Sequence, residues 1–225
     1  LGVRSRRPAG AALDGQGRRL PVEIGLLPQF GIGSVEVGAV PVMVVADSAL
    51  QLRDLHGGAE RAPRGVLGLD LIGACRLTID PERGGVVLAV SQGLPVERSV
   101  QCARVEGRCL VPVIVEGAQL WFVLDTGASH SSLTSSGLAR IAGGRERAAA
   151  AFRRVRTVGG GVVAVRELRG IVLRCSEARF LQVTLPIVDR GHSDFFPVHG
   201  VIGIDLLSRC RVTLDRGRAR LTAAG

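Results

Sequence analysis

The chain has 225 residues and a formal net charge of +9, with 46% hydrophobic but only 3% aromatic residues and no tyrosine. That length buries one sizeable core or two small ones. The charge alone would admit nucleic acid, but the basic residues are all arginine and are scattered apart from Arg4-Ser5-Arg6-Arg7 and Arg153-Arg154-Val155-Arg156, so they read as solvated surface and no nucleic-acid partner is expected, with attraction to acidic partners or membranes left open.

The apolar residues are mostly Val and Leu in short runs, among 31 Gly and 10 Pro, which points to a mainly β protein with many turns. No apolar run approaches the ~20 residues of a membrane span. In chain order, Asp14-Gly15-Gln16-Gly17 marks a turn, and Pro41-Val42-Met43-Val44-Val45-Ala46-Asp47 reads as a strand. Ser48 to Arg64 reads as a long loop, and Gly65-Val66-Leu67-Gly68-Leu69-Asp70-Leu71-Ile72 as an apolar–glycine segment opening a short helix. Leu110 to Val115 and Gln119 to Leu124 are strands joined by a Glu116-Gly117 turn. This hairpin runs into Asp125-Thr126-Gly127-Ala128-Ser129. Ser131 to Leu138 then supplies capping residues and a short helix. Arg153 to Thr157 and Val163 to Arg166 flank Val158-Gly159-Gly160-Gly161-Val162, a glycine-tipped hairpin. Gly200 to Leu207 repeats the apolar–glycine segment and leads into a last strand, Cys210 to Asp215.

An internal repeat organises these elements. Gly65 to Asp80 aligns without gaps on Gly200 to Asp215, at an offset of 135 residues, with nine of the 16 positions identical. Pro41 to Asp47 matches Val183 to Asp189 in apolar pattern and closing aspartate, at an offset of 142. Ser48 to Arg64 is thus the longer connection of the first copy. The chain reads as two copies of one unit: residues 1–92 a partial first copy, 93–109 a linker, 110–225 a complete second copy. By the offset, the first copy's own hairpin and acidic loop are expected upstream of Leu1, so the chain is expected to be a processed or bounded piece of a longer protein.

The order of hairpin, acidic loop, glycine-rich hairpin, apolar–glycine segment, short helix and final strand resembles one lobe of a retropepsin-like or pepsin-like aspartic protease, from Leu110 to about Thr222. The stretch from Ala139 to Arg156 is longer and richer in Arg and Ala than in compact viral enzymes. The resemblance implies a mainly β fold of two lobes related by approximate two-fold symmetry, the first lacking its N-terminal hairpin and acidic loop. It implies an aspartic endopeptidase in which two carboxylates share a proton and activate a water. Asp125 is then one catalytic carboxylate. Thr126 and Gly127 brace the loop, Ser129 lies beside the substrate, and Gly159, Gly160 and Gly161 form a flap over it. Asp14 to Gly17 falls where the first lobe's flap would be. No cofactor is expected. The expected partners are an extended peptide or unfolded protein, and an upstream fragment or second chain completing the first lobe. Two alternatives stand beside this: a non-catalytic peptide-binding or scaffold module of the same fold, and a homodimer using two Asp125.

Asp70 and Asp205 occupy equivalent repeat positions and are expected to be structural, capping their short helices. Asp80 and Asp215 are expected in surface turns. Cys75 and Cys210 are expected in cores. Cys102 and Cys109 are placed for a local disulfide in an oxidising compartment; localisation is otherwise open, leaning to periplasmic or secreted. The four histidines lack metal-ligand spacing, and no C-x-x-C occurs, so no zinc site is expected. His130 and its neighbouring serines sit too close to Asp125 on one loop to converge as a triad.

Overall fold

A computed structural model describes residues 2–13, 19–32, 35–46, 65–73, 75–149, 152–156, 162–188 and 196–223. The chain divides into two compact units, residues 1–66 with 156–161, and residues 67–155 with 162–225. The segment 67–92, part of the first copy by the repeat, packs within the second unit.

The first unit is an antiparallel meander of β1 (Arg4–Leu13), β2 (Arg19–Ile32) and β3 (Val35–Val44). Among its described residues the buried apolar ones are Val22, Leu27 and Val40. Asp14 to Gly17 lies outside the described residues.

The second unit holds two sheets. In the larger, β8 (Arg108–Val115) and β9 (Ala118–Leu124) form the expected hairpin. Its Glu116-Gly117 turn has φ of 49° and 88°, the left-handed pair that matches the twist of a two-residue hairpin. β8 alternates buried and half-buried residues because one face lies on the core. β12 (Val162–Cys175) pairs antiparallel with β8 and with β13 (Ala178–Pro186), and carries β11 (Phe152–Arg156) at its other end. β7 (Ala103–Val105) adds to β8. On the far side, β14 (Gly200–Ile202) runs parallel to β9, Gly200 opposite Phe122 and Ile202 opposite Leu124, and β10 (Ser132–Leu133) pairs with β14. Helices α2 (Ser135–Leu138) and α3 (Gly144–Ala149) follow β10. Phe122, Leu120, Leu133, Leu168, Leu173, Leu185 and Ile202 are fully buried in the core of this sheet.

The smaller sheet joins the two copies of the repeat. Helix α1 (Leu69–Ile72) leads to β4 (Arg76–Asp80) and β5 (Gly85–Ala89), while α4 (Ile204–Leu207) leads to β15 (Cys210–Asp215) and β16 (Arg218–Ala223). With β6 (Val100–Gln101) the strand order is β5-β4-β15-β16-β6. β4 and β15 are antiparallel, with Ile79 opposite Val212, Thr78 opposite Thr213 and Leu77 opposite Leu214. Thr78 and Thr213 are repeat equivalents, so the ladder is centred on the repeat. Their hydroxyls lie 3.3 Å apart.

This register corrects the expectation for Asp80 and Asp215, which are buried, at 6% and 2% exposure, rather than on surface turns. Arg76 Nε donates to Asp215 Oδ2 at 2.9 Å, and Arg211 Nε donates to Asp80 Oδ2 at 3.0 Å. The pairs are reciprocal, since Arg76 corresponds to Arg211 and Asp80 to Asp215. Each aspartate ends a strand, but the centred register sets it opposite the arginine that begins the other strand. Asp215 also accepts from the Ser91 hydroxyl and from the N–H groups of Gln92 and Gly93. Burial alone would push its carboxyl up; Ser91, Arg76 and the Gln92 N–H outweigh burial and hold it below the usual carboxylate range. For Asp80, burial is likewise outweighed by the Arg83 N–H and by Arg211.

All five cysteines are free thiols. Cys210 is fully buried as expected, whereas Cys75 is only half-buried. Cys102 and Cys109 do not form the local disulfide, and a hydrogen bond with the Cys109 thiol together with burial pushes the Cys102 thiol up.

Candidate active site

The acidic loop begins where β9 leaves the sheet. The parallel pairing with β14 extends one step further, the Asp125 N–H donating to the Ile202 carbonyl at 3.0 Å. The carboxylate then folds back on its own loop: Oδ1 accepts the Gly127 N–H at 2.8 Å, the Asx geometry that turns a chain sharply. The Ala128 N–H reaches the Asp125 carbonyl at 3.3 Å. A Cβ on Gly127 would sit 3.2 Å from Asp125 Oδ1, so a side chain there would crowd the carboxylate. Asp125, Thr126, Gly127 and Ser129 are all exposed. A carboxylate at the end of a buried strand is thus presented to solvent on a tightly hydrogen-bonded turn.

The loop is held from behind by the second apolar–glycine segment. The Ile204 N–H donates to the Ala128 carbonyl at 2.8 Å. Ser131, fully buried, donates to Asp205 Oδ1 from both its N–H, at 2.8 Å, and its hydroxyl, at 2.7 Å, and its oxygen accepts the Gly203 N–H at 2.9 Å. Gly203 is required by proximity, because a Cβ there would come within 2.7 Å of the Ala128 carbonyl oxygen. Asp205 therefore has a structural role, but not the one expected. Gly203 is the N-cap of α4 and no side chain caps that helix; the Asp205 carboxylate instead anchors the exit of the acidic loop.

A second layer fixes β10 and β14. Thr134 caps α2, its hydroxyl oxygen accepting the Gly137 N–H at 3.0 Å, and its N–H donates to the His199 carbonyl at 2.8 Å. Buried His199 takes the Trp121 N–H on Nδ1 at 3.0 Å and returns its own N–H to the Trp121 carbonyl at 2.8 Å. Gly200 packs against the Phe122 ring and the Ser132 carbonyl so closely that a Cβ would lie 2.5 Å from each. Sequence reasoning singled out neither Ser131 nor His199. The signal for Ser131 was present in the pairing of a loop serine with the repeat-marked Asp205. His199 carries no such mark.

The serine-hydrolase arrangement does not form: the Ser131 hydroxyl is engaged by Asp205 and Gly203, while His130 is exposed on the loop. β11 and β12 are neighbours in the sheet, as a hairpin requires; its tip, with Gly159, Gly160 and Gly161, lies outside the described residues. A small pocket lined by Leu69, Gly73, Cys102, Cys109 and Gly217 shares no residue with the acidic loop. Among the described residues no group of three metal-ligating side chains converges, and no helix is long and apolar enough to cross a membrane.

The aspartyl protease family model matches residues 111–206, from the hairpin through the acidic loop to α4. Among solved structures, soybean basic 7S globulin superposes with a TM-score of 0.52 at 12% identity, over 97% of this chain and 72% of that one. A retropepsin-like aspartic protease from Rickettsia conorii matches at 18% identity with a TM-score of 0.40, over 56% of this chain and 91% of that one. No curated protein matches the chain.

Proposed function

We propose that the chain is the greater part of a two-lobed aspartic endopeptidase in which Asp125 is one of two catalytic carboxylates and the other lies outside these 225 residues. The single observation that carries this reading is the acidic loop itself: an exposed carboxylate at a strand end, on a turn clamped by Ile204 and Ser131 from the second apolar–glycine segment. The repeat-centred ladder of β4 on β15 supports the pseudo-two-fold relation of the lobes, taken as residues 1–92 and 110–225 joined by 93–109. Apolar–Asp–Thr/Ser–Gly occurs once in the sequence, at Leu124 to Gly127, and in this reading the second carboxylate comes from another segment.

Two carboxylates held together share one proton. The ionised member takes a proton from a water, whose oxygen attacks the carbonyl carbon of an extended peptide. The protonated member donates a hydrogen bond to the carbonyl oxygen. Collapse of the tetrahedral intermediate breaks the C–N bond as the nitrogen is protonated. In this reading Thr126 and Gly127 steady the meeting of the two loops, Ser129 lies beside the substrate, and Gly159 to Gly161 close over it. The single acidic loop also favours a second reading, a peptide-binding module without catalysis.

Asp125→Asn tests both. In the active protein it should abolish cleavage of an unfolded protein substrate while leaving the thermal midpoint unchanged, because the amide keeps the oxygen that accepts the Gly127 N–H. Undiminished turnover by the variant would refute the assignment. Peptide binding without cleavage by the parent protein would establish the binding module.

A further inference from the structure

The β12–β13 hairpin sets two like charges against each other. Arg174 and Arg179 lie directly opposite across its ladder, one pair in from the Ser176-Glu177 turn. Opposite residues of an antiparallel pair point to the same face with their Cβ atoms about 5 Å apart, and like charges so placed are destabilising. Both residues are exposed. By contrast, Arg76 pairs with Asp215, Arg211 with Asp80 and Arg220 with Glu177.

The hairpin end is held down, which keeps the two arginines together. The Glu177 N–H donates to the Leu221 carbonyl at 3.1 Å, and the Ser176 hydroxyl donates to the Arg98 carbonyl at 2.9 Å. The carboxylates nearest along these strands are already engaged. Glu177, in the turn, is taken by Arg220 Nε at 2.7 Å and lies 3.8 Å from Arg98 Nε. Glu116, in the turn of the neighbouring β8–β9 hairpin, accepts the Val172 N–H at 2.8 Å and lies 3.7 Å from Arg147. Among the described residues, neither Arg174 nor Arg179 has an ion pair or a side-chain hydrogen bond.

We propose that Arg174 and Arg179 form a binding site for a phosphate monoester group, carried either by free phosphate or by a phosphorylated side chain of another protein. The site shares no residue with the acidic loop and does not depend on the role of Asp125. The charge balance selects the ligand. Two guanidinium groups carry two fixed positive charges. A carboxylate or a phosphodiester brings one negative charge and leaves one arginine uncompensated. A phosphate monoester brings about −1.5 to −2 at pH 7 with three acceptor oxygens, enough for the planar forks of both arginines. The surroundings suit a peptide on either side of the phosphate. Half-buried Ile114 lies opposite Arg174 on β8, and Leu181, two residues from Arg179 on the same face, is 53% exposed. A second copy of this face is a poor occupant, because it would bring four guanidinium groups together.

Isothermal titration calorimetry of the purified protein at neutral pH tests this with three probes: inorganic phosphate, a phosphoserine peptide flanked by leucines, and the same peptide unphosphorylated. The phosphopeptide should bind and the unphosphorylated peptide should not. Inorganic phosphate binding as tightly as the phosphopeptide identifies free phosphate as the ligand; tighter binding of the phosphopeptide identifies a phosphorylated partner. Arg174→Gln and Arg179→Gln should each weaken binding about ten- to a hundredfold, the loss of one charge-assisted contact. Arg179→Lys should stay weaker than the parent, because an ammonium lacks the fork. Neither Gln variant should lower the thermal midpoint, since each removes a repulsion. Arg140→Gln, exposed and outside the hairpin, should bind as the parent does. Failure of both phosphorylated probes to bind overturns the proposal, and so does undiminished binding by either Gln variant. Equal binding of the unphosphorylated peptide, or an equal loss in Arg140→Gln, also overturns it, by reducing the effect to peptide contact or to net positive charge.

Discussion

Removal of the Asp205 carboxylate measures how strongly the acidic loop depends on its brace. In Asp205→Ala the fully buried Ser131 loses the acceptor of both its N–H and its hydroxyl. An unsatisfied buried donor costs roughly 1–3 kcal/mol, and a hydrogen bond to a charged group contributes about 1.5–3 kcal/mol. The hydroxyl can still turn toward another acceptor, and it keeps the Gly203 N–H, so the two losses overlap. The expected destabilisation is about 3 kcal/mol, and at roughly 2–4 °C per kcal/mol for a domain of this size the thermal midpoint falls by about 6–12 °C. Asp205→Asn retains the Oδ1 acceptor without its charge and should lose about half as much, since charge-assisted bonds are about twice as strong as neutral ones. Thermal unfolding followed by circular dichroism reads both, and turnover of an unfolded substrate should fall in the same order. The alternative role, an acid favouring the first turn of α4, is separated by a double-mutant cycle with Ser131→Ala. If Asp205 acts through Ser131 the two losses are not additive; if it acts on the helix they add. An Asp205→Ala midpoint within about 1 °C of the parent, or additive losses, would refute the brace.

Gly200→Ala should be among the most damaging single-methyl changes, costing about 3 kcal/mol by overpacking and abolishing activity, because its Cβ lands on the Phe122 ring and the Ser132 carbonyl at 2.5 Å; unaltered unfolding in urea would contradict the packing. Asp80 and Asp215 are held below the ordinary carboxylate value of 3.8, so the unfolded chain takes up protons first as pH falls. Their contribution to stability is therefore complete above that value and is lost as pH falls through the lower folded values. Arg76→Met should flatten this acid limb in a denaturant titration from pH 6 to pH 2, and an unchanged limb would show that Asp215 is held by its other donors. Gly160→Val should lower kcat/KM for extended peptides if the hairpin tip closes over substrate, since a β-branched residue stiffens the tip; equal kcat/KM would make it an ordinary turn.

Much of the fold was legible because its signals are local. Short apolar runs placed β8 and β9, a two-residue turn joined them, and a cluster of hydroxyl residues located the Thr134 cap and α2. The acidic loop was legible as a motif. Its supports were not, because each comes from far along the chain: Asp205 reaches Ser131 across 74 residues, and Arg76 reaches Asp215 across 139. A strand-ending aspartate before a turn looks solvent-exposed until its cross-strand partner is known.

The repeat nevertheless contained the information needed to place Asp80 and Asp215. Within the paired strands, Arg76, Thr78 and Asp80 are identical to Arg211, Thr213 and Asp215, whereas Leu77 and Ile79 are exchanged for Val212 and Leu214. Identity at every second position marks one face of a strand, and free exchange of aliphatics marks the other. An antiparallel ladder centred on the repeat sets each position against the mirror of its equivalent, so the arginine of one copy meets the aspartate of the other. The threonine at the centre meets itself. Loss of the arginine in one copy then breaks an ion pair whose carboxylate is buried, and that carboxylate is left without its cation in a site from which water is largely excluded. The apolar face has no such reciprocity, because any aliphatic of similar volume fills it. The alternating pattern of identity in a repeat thus distinguishes two copies that pair with each other from two that merely follow one another, and here it marks the polar side of the antiparallel β4–β15 ladder along which the two copies pair.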